Sequence, residues 1–330
     1  MPNILPTPQA DPTAYAATRA GAALYDGAAC GRIWMRDRDA AALLHRLSTN
    51  QIEKLTPGQG TRTVLATPIS RIIDLLTVHR TADGLLLVTS PGNGPAIFRH
   101  LRKNIFFNDT VRLEDVGASL AQLALYGPRA AELLCGLGLP ADGLSAYGVA
   151  PAQWRDWPLY VARCQPMGGG GLAVYAPAEA LGALSQALID AGAATLDQET
   201  YDVLRVEAGQ GAFGRELSQD YIPLEAGLWD AVSFNKGCYV GQEIIARMES
   251  RGRLAKQLRG LRLPGGLPDG LALPTMIVAG GKDAGALTSV AQSPRHGLIG
   301  LAYVRSAYAE PGAALEVGGA AAEVVSLPFE

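Results

Sequence analysis

The stretch from Asn235 to Glu243 reads Asn-Lys-Gly-Cys-Tyr-Val-Gly-Gln-Glu, the densest run of chemically distinctive residues in the 330-residue chain. Gly237 and Gly241 allow tight turns and free backbone N–H groups. Cys238 stands two residues from Lys236, and a nearby cation stabilises a thiolate. Two interpretations are open. Either Cys238 is a small, buried residue in a turn, or the loop presents a reactive thiol.

The residues on both sides of this stretch carry further polar signals. From Glu243 onward, E-I-I-A-R-M-E predicts a helix with an acidic first turn. Upstream, Asp202 to Gly209 places Arg205 and Glu207 among apolar residues, as a helix or strand, with a surface ion pair between these two as the simple expectation. Pro223-Leu224-Glu225-Ala226-Gly227-Leu228 follows. No histidine lies nearby in sequence, so a Cys–His nucleophile is not predicted.

The chain before this region predicts two α+β modules, because strand-like and helix-like segments alternate in both halves. Asp83-Gly84 favours a hairpin, and Asp39 is a candidate N-cap. The predicted helices cover 10–23, 39–47, 95–103, 128–134 and 178–191, and the predicted strands cover 31–35, 61–66, 72–78, 85–88, 111–113, 122–125, 159–163 and 172–175.

The composition changes after Arg259. A turn-rich stretch from Leu263 to Gly270 precedes short alternating segments separated by glycine and proline. This spacing predicts a small all-β sandwich or barrel. We therefore expect two domains, residues 1–255 and 256–330.

Composition and charge exclude several classes of protein. Hydrophobic residues make up 48% of the chain and charged residues 18%, which is enough for a sizeable core. A net charge of -3 gives no indication of a nucleic-acid binder. We expect no secretory signal and no membrane span. The four cysteines are scattered without metal-ligand spacing, so we expect no metal site and a reducing, cytoplasmic setting.

Several of these segments resemble a known superfamily. K-G-C-Y-V-G-Q-E (236–243) resembles the signature of YgfZ-type folate-binding proteins, and L-R-x-E-A-G with P-L-E-A-G-L is similar to glycine-cleavage T-proteins, which are aminomethyltransferases. Leu44 to Gly60 and Leu123 to Leu134 resemble further family segments in the family's order. The resemblance implies a tetrahydrofolate-binding α+β core of ferredoxin-like pieces around a central hole, followed by a C-terminal β-barrel.

The match to T-proteins is incomplete at the folate site. T-proteins carry G-G-I-x-D-D-L, and here residues 70–76 keep one carboxylate, Asp74, and replace the other with Leu75. Without the resemblance, two interpretations of Asp74 are open: an ordinary exposed carboxylate at a strand end, or a site residue. Where T-proteins have T-G-E-D-G, this chain has Met167 to Gly171, which contains no carboxylate. For this run of glycines, a hairpin turn is a simpler interpretation than a phosphate-binding loop. A lost charge-assisted pair weakens the transferase interpretation, unless Asp74, Asp202 or Glu225 compensates.

The resemblance implies a folate-binding accessory protein in iron–sulfur cluster assembly or repair, with the cysteine motif as a functional loop. A tetrahydrofolate-dependent aminomethyltransferase is the alternative, and a folate-storing protein without chemistry is a third possibility. The expected partners are a folate and iron–sulfur assembly or client proteins, with neither nucleic acid nor membrane. The candidate residues are Cys238, Lys236 and Asp74 for catalysis, and Asp74, Arg205, Glu225, Gly237 and Gly241 for binding tetrahydrofolate or a derivative.

Overall fold

The computed structural model describes residues 7–252, 254–268 and 270–329. Contacts divide the chain into two compact units. We call residues 16–196 and 230–242 the sheet unit, and we call residues 7–15, 197–229 and the described residues from 243 onward the barrel unit. The predicted domain division after residue 255 stays a prediction.

The sheet unit contains two sheets and their covering helices. Its elements, with the helix that leads into it, are α1 (Pro12–Ala20), β1 (Ala23–Asp26), β2 (Cys30–Arg36), α2 (Ala40–Leu47), β3 (Gly60–Ala66), β4 (Ile72–Thr81), β5 (Gly84–Pro91), α3 (Gly94–Lys103), β6 (Arg112–Asp115), β7 (Leu120–Tyr126), α4 (Ala130–Gly136), β8 (Val149–Trp154), β9 (Trp157–Met167), β10 (Gly170–Pro177), a 3₁₀ turn (Ala178–Ala180), α5 (Leu181–Asp190) and β11 (Ala194–Thr195).

The first sheet has the strand order β3-β4-β5-β2-β6. The hairpin predicted at Asp83-Gly84 joins β4 to β5, with Thr81 opposite Gly84. Gly84 has φ 140°, and an added Cβ would lie 2.5 Å from the carbonyl oxygen of Met35, so only glycine fits there. Helices α2 and α3 bury their leucines and isoleucine against one face of this sheet.

The second sheet has the order β11-β1-β7-β10-β9-β8, and α4 and α5 cover one of its faces. Because strand side chains alternate, each sheet has a second face. These second faces pack on each other through an aromatic and aliphatic layer that includes Trp34, Leu86 and Val88 from the first sheet and Ala173 and Tyr175 from the second. The sheet unit is therefore a four-layer body whose middle is a sheet-on-sheet contact.

The barrel unit contains α6 (Gln198–Glu207), a 3₁₀ turn (Trp229–Ala231) at its edge, α7 (Gln242–Arg251), β12 (Lys256–Arg262), β13 (Thr275–Ala279), β14 (Lys282–Ser293), β15 (Gly297–Arg305), a 3₁₀ turn (Ser306–Tyr308), β16 (Ala314–Val317) and β17 (Ala320–Val325). The six strands close in the order β12-β15-β14-β13-β16-β17 around an aliphatic core. Closure leaves no free sheet edge in this barrel.

Two α+β sheet modules and a closed barrel confirm the predicted fold class. Some local predictions were wrong. The helix expected over 10–23 ends at Ala20, and Ala23–Asp26 instead forms a buried strand between β11 and β7. Asp39 does not cap α2, because its carboxylate accepts the backbone N–H of Thr110 at 2.8 Å. None of the helices in the described part of the chain is long and apolar enough to cross a membrane.

Candidate functional site

Lys236 fixes the start of the motif to the end of α2. Its side chain is 7% exposed, and its ammonium donates to the carbonyl oxygens of His45, Ser48 and Asn50 at 2.5, 2.6 and 2.7 Å. These carbonyls belong to the last turn of α2 and the residues after it, where helical carbonyls lack intrahelical partners and the helix dipole favours a cation. Burial lowers the pKa of Lys236 to about 7, and Glu53 opposes that effect.

Gly241 fixes the other end of the motif. It has φ 85°, and an added Cβ would lie 2.8 Å from the Thr67 carbonyl oxygen. The Ser70 hydroxyl donates to the Gly241 carbonyl. One residue earlier, the backbone N–H of Val240 donates to the carbonyl of Arg46 at 3.1 Å. Residues 236–241, which we call the cysteine loop, are therefore attached to the first sheet module at both ends.

Cys238 is exposed between these attachment points, while Tyr239 beside it is buried. The interpretation of Cys238 as a small buried residue is therefore wrong. Gly237 is exposed too, and an added Cβ there would meet no atom within 4 Å, so only Gly241 of the two glycines is required by the backbone. The three contacts of the Lys236 ammonium are all to carbonyl oxygens, so its activation of the thiol stays a prediction. Arg253, another cation close to Cys238 in sequence, lies outside the described residues.

The other cysteines differ from Cys238 in their surroundings. Burial raises the pKa of Cys30 to about 11 and that of Cys164 to about 12, so both remain protonated thiols. Cys135 is exposed, but its thiol donates to the Asp142 carboxylate at 3.4 Å. Cys238 is thus the exposed cysteine that the fold holds on a fixed loop.

Asp74 is completely buried on β4, so the interpretation as an exposed strand-end carboxylate is wrong. Its carboxylate accepts the backbone N–H groups of Leu75 and Ser90 at 2.9 and 3.2 Å. Burial raises the pKa of Asp74 to about 6, while hydrogen bonds from Ser90, Leu75 and Asn93 oppose the shift. Because Asp74 has no exposed surface, it can act on a ligand through its charge or through Ser90 and Asn93.

The predicted hairpin turn at Gly168 to Gly171 is present: Gly168 and Gly169 join β9 to β10, and Gly170 and Gly171 begin β10. Gly168 and Gly169 have φ 67° and 117°. An added Cβ at Gly168 would lie 2.3 Å from the Thr18 carbonyl oxygen, and one at Gly170 would lie 2.4 Å from that of Gly127. Neighbouring backbone fills the space beside this turn, so these glycines serve close packing.

Arg205 is buried in the barrel unit with protein partners. Its guanidinium contacts Asp202 at 2.6 Å, Ser289 at 3.1 Å and Glu216 at 3.6 Å. Glu216 is fully buried and accepts hydroxyl hydrogen bonds from Thr288 at 2.5 Å and Ser289 at 2.7 Å. The expected surface pair between Arg205 and Glu207 is wrong, because α6 turns them to different partners. The network instead joins α6 to β14.

Two further carboxylates of this region are also buried in the barrel unit. Glu207 accepts the hydroxyls of Tyr15 at 2.8 Å and Ser293 at 2.5 Å. Glu225 accepts the backbone N–H of Ile222 at 3.2 Å, and its own carbonyl accepts from Leu258 at 2.8 Å. Both motifs thus have structural contacts, and the folate-binding roles of Arg205 and Glu225 stay predictions.

The predicted residues fall into two groups. Asp74, Lys236, Gly237, Cys238 and Gly241 belong to the sheet unit, whereas Arg205 and Glu225 belong to the barrel unit. Within the described ranges, no three His, Cys, Asp or Glu side chains come together as a metal site.

Sequence reasoning missed Arg46 and Ser70 as supports of the cysteine loop. Ser70 has φ 61° and lies between the predicted strands 61–66 and 72–78, where a turn is the one local signal the sequence offers.

Replacing Lys236 with methionine should destabilise the sheet unit by about 2 kcal/mol, because three buried carbonyl groups lose a charged donor. Urea unfolding measures the loss, and hydrogen exchange at the Val240 amide should accelerate. Lys54→Met is the matched control, since Lys54 is exposed. Equal stability of the two variants would show that the three-carbonyl contact does not hold the loop.

Asp74 should make stability depend on pH in a definite direction. Its folded pKa, about 6, lies above the unfolded value of 3.8, so its stabilising contribution is complete below pH 3.8 and is lost as pH rises through 6. Relative to Asp74→Asn, the wild type should therefore be about 2 kcal/mol more stable at pH 4.5 than at pH 7.5. Unfolding both proteins at the two pH values measures this difference. A difference independent of pH would contradict a buried carboxyl whose hydrogen bonds only partly offset the cost of its charge.

Glu216→Gln should destabilise the barrel unit by about 3 kcal/mol, since it leaves the buried Arg205 charge with one carboxylate fewer. Chemical denaturation followed by circular dichroism measures the change. The matched control is Glu132→Gln, which breaks an exposed pair with Arg129 and should leave stability nearly unchanged, because solvent screens the pair. Similar losses in the two variants would argue against a buried network.

Comparisons with known proteins agree with this architecture. The glycine cleavage T-protein N-terminal domain family matches residues 9–236, and the glycine cleavage T-protein C-terminal barrel domain family matches residues 256–329. The crystal structure of the glycine cleavage system aminomethyltransferase T from Bartonella henselae superposes with a TM-score of 0.87 at 26% identity, covering 98% of this chain and 91% of that one.

Curated relatives match along nearly the whole chain. A protein of Arabidopsis thaliana named as a chloroplastic transferase is 32% identical over 93% of this chain and 70% of its own length. Aminomethyltransferases of Rubrobacter xylanophilus and Listeria monocytogenes are 36% and 31% identical, over 87% and 95% of this chain and 77% and 88% of their own lengths. With both domain families matched in order, the chain belongs to the glycine cleavage T-protein family.

Proposed function

We propose that this protein is a folate-binding accessory protein of the YgfZ type that acts in iron–sulfur cluster assembly or repair through its cysteine loop. The observation that supports this most is the exposed Cys238 between two buried attachments, Lys236 and Gly241. A thiol that serves only packing needs neither exposure nor a rigid loop. The proposal includes the domain division after residue 255 and, because the described cysteines are all free, a reducing cytoplasmic compartment.

The residues present fit a reduced folate in part. Asp74 is a buried carboxyl in the segment that resembles the T-protein aspartate, and its negative charge would favour a developing positive charge on a reduced folate. The turn at Gly168 to Gly171 supplies no carboxylate to a pterin edge and is filled by backbone. The retained Asp74 supports folate binding, and the missing carboxylate in the glycine turn argues against efficient one-carbon transfer. When bound, the folate would supply one-carbon chemistry, and Asp74 would supply charge.

The alternative is a tetrahydrofolate-dependent aminomethyltransferase. It is favoured by the names of the Rubrobacter and Listeria relatives, at 36% and 31% identity, and by the retained Asp74. Against it stand Leu75, in place of a second carboxylate, and the glycine turn. An aminomethyltransferase also has no need of an exposed thiol on a fixed loop. The two proposals therefore differ in which residue is indispensable, Cys238 or Asp74.

Two measurements test these proposals: the first tests the folate binding that both require, and the second separates them. A stable reduced folate, such as 5-formyltetrahydrofolate, should raise the melting temperature of the protein. At a hundredfold excess over Kd, the ligand should increase the free energy of unfolding by about 2.7 kcal/mol. p-Aminobenzoylglutamate, which lacks the pterin, is the matched control ligand and should give a much smaller shift. No shift with the reduced folate contradicts folate binding.

The second measurement is complementation of a strain that lacks the gene, read out as the activity of an iron–sulfur enzyme. Cys238→Ser should fail although it folds, and Cys135→Ser, an exposed cysteine outside the loop, should succeed. Full activity with Cys238→Ser would remove the accessory-protein proposal. Ammonia release from an aminomethylated carrier, abolished by Asp74→Asn and unaffected by Cys238→Ser, would establish the transferase instead.

A further inference from the structure

Four large apolar side chains are exposed next to residues that attach the cysteine loop, or on a segment that contacts such a residue. In the sheet unit, Ile69 is 61% exposed, Phe106 is 60% exposed and Phe234 is 40% exposed, while Phe107 is fully exposed. Single exposed apolar residues are ordinary, but a group of them beside a functional loop indicates an interaction surface. The contacts of the loop decide whether these four form such a group.

Ile69 and Phe234 lie next to residues that attach the loop, and Phe106, which Phe107 follows in sequence, contacts the side chain of a third such residue. Ile69 precedes Ser70, whose hydroxyl donates to the Gly241 carbonyl, and Phe234 lies two residues ahead of Lys236. Arg46 joins the third segment. Its carbonyl accepts from Val240, and its guanidinium carbon lies 4.8 Å from the centre of the Phe106 ring. We call Ile69, Phe106, Phe107 and Phe234 the apolar rim of the loop.

The helix that leads to Phe106 is strongly basic. Helix α3 carries Arg99, His100, Arg102 and Lys103 and no acidic residue. Arg99, Arg102 and Lys103 are exposed, and their i, i+3, i+4 spacing places them on one side of the helix. None of the three forms an ion pair with a described residue, whereas Arg46 and Arg129 do. On a chain of net charge -3, this is a local positive surface beside the apolar rim.

We propose that the apolar rim and the basic side of α3 together dock an acidic, leucine-rich segment of a partner protein and bring it to Cys238. This inference rests on the proposed function, because it gives the exposed thiol a protein to act on. Charge complementarity identifies the occupant: three cations that form no ion pair with a described residue attract carboxylates, and four apolar side chains accept aliphatic ones. Arg46 links the rim to the loop, since its guanidinium lies over the Phe106 ring and its carbonyl accepts the backbone N–H of Val240.

The test measures how fast Cys238 reacts with a peptide that can dock. The probe is a 15-residue peptide of alternating Glu and Leu pairs, whose central cysteine is a mixed disulfide with thionitrobenzoate. The Cys238 thiolate attacks the peptide sulfur, an intermolecular disulfide forms, and coloured thionitrobenzoate leaves with the electron pair of the broken bond. A second peptide with Lys in place of every Glu is the control, and the rate with uncharged iodoacetamide corrects for intrinsic thiol reactivity. The protein carries Cys135→Ser, and mass spectrometry identifies the modified residue.

At low salt the wild type should react at least about tenfold faster with the acidic peptide than with the basic one, and added salt should reduce the ratio. Charge reversal with Arg99→Glu, Arg102→Glu and Lys103→Glu together should abolish that preference, and Phe107→Ser should slow the acidic peptide. Arg155→Glu and Ile189→Ser are matched controls at exposed positions of the second sheet module and should leave both rates unchanged. Phe107 is fully exposed, so its replacement tests the surface without a risk to folding.

Equal rates with the two peptides, or a preference that survives charge reversal, would overturn the proposal. If the protein sediments with phosphatidylserine vesicles and Phe107→Ser abolishes this binding, the surface binds membranes and the peptide-docking proposal is wrong. If the protein is a dimer in analytical ultracentrifugation and Phe107→Ser dissociates it, the surface is a contact between copies of the chain and the peptide-docking proposal is wrong. Folate binding and complementation by Cys238 variants are independent of these rates. A failed peptide test therefore leaves the proposed function standing, and a failed folate test leaves the peptide preference measurable.

Discussion

The contact between the Lys236 ammonium and the carbonyls after α2 is the constraint on which the candidate site depends. A buried ammonium needs acceptors for all its hydrogens, and the end of a helix offers carbonyls that have no other partner. One lysine thus satisfies three backbone groups and pins a segment 186 to 191 residues away in sequence to the first sheet module. The exposed Cys238 is held in place because its neighbour at position 236 is buried.

The same segment makes a second set of contacts that limits its freedom. The Thr49 hydroxyl donates to the Ala231 carbonyl at 2.6 Å, and the Ser233 N–H donates to the Thr49 carbonyl at 2.9 Å. Further along, Gly241 fits against the Thr67 and Ser70 turn where a larger residue would clash. Between these contacts, only Gly237 and Cys238 of the cysteine loop are exposed. A loop with buried flanks and an exposed centre is preorganised for contact with another molecule.

Sequence reasoning predicted the architecture because hydrophobic period and turn chemistry agree over most of the chain. The Asp83-Gly84 hairpin, the leucines of α2 and the short strands of the barrel each carry a local signal. The strand Ala23–Asp26 was missed because four residues after an alanine-rich helix have no pattern of their own. Its strand partners, β11 and β7, are distant in sequence, so the pairing has no local signal. The partners of Arg205 could not be predicted for the same reason, since Glu216 and Ser289 reach it only after the barrel closes.

The motif itself gave the candidate residues, but not the contacts that each one makes. Proximity in sequence suggested that Lys236 acts on Cys238, whereas the fold turns the lysine inward to three carbonyls and the cysteine outward. The most direct test of this arrangement is the alkylation of the native protein by iodoacetamide, followed residue by residue by mass spectrometry. Cys238 should be modified in the folded protein at the rate of an accessible thiol, while Cys30 and Cys164 stay unmodified until the chain unfolds. Protection of Cys238 to the same degree as Cys30 and Cys164 would contradict the account, because the loop would then not present its thiol.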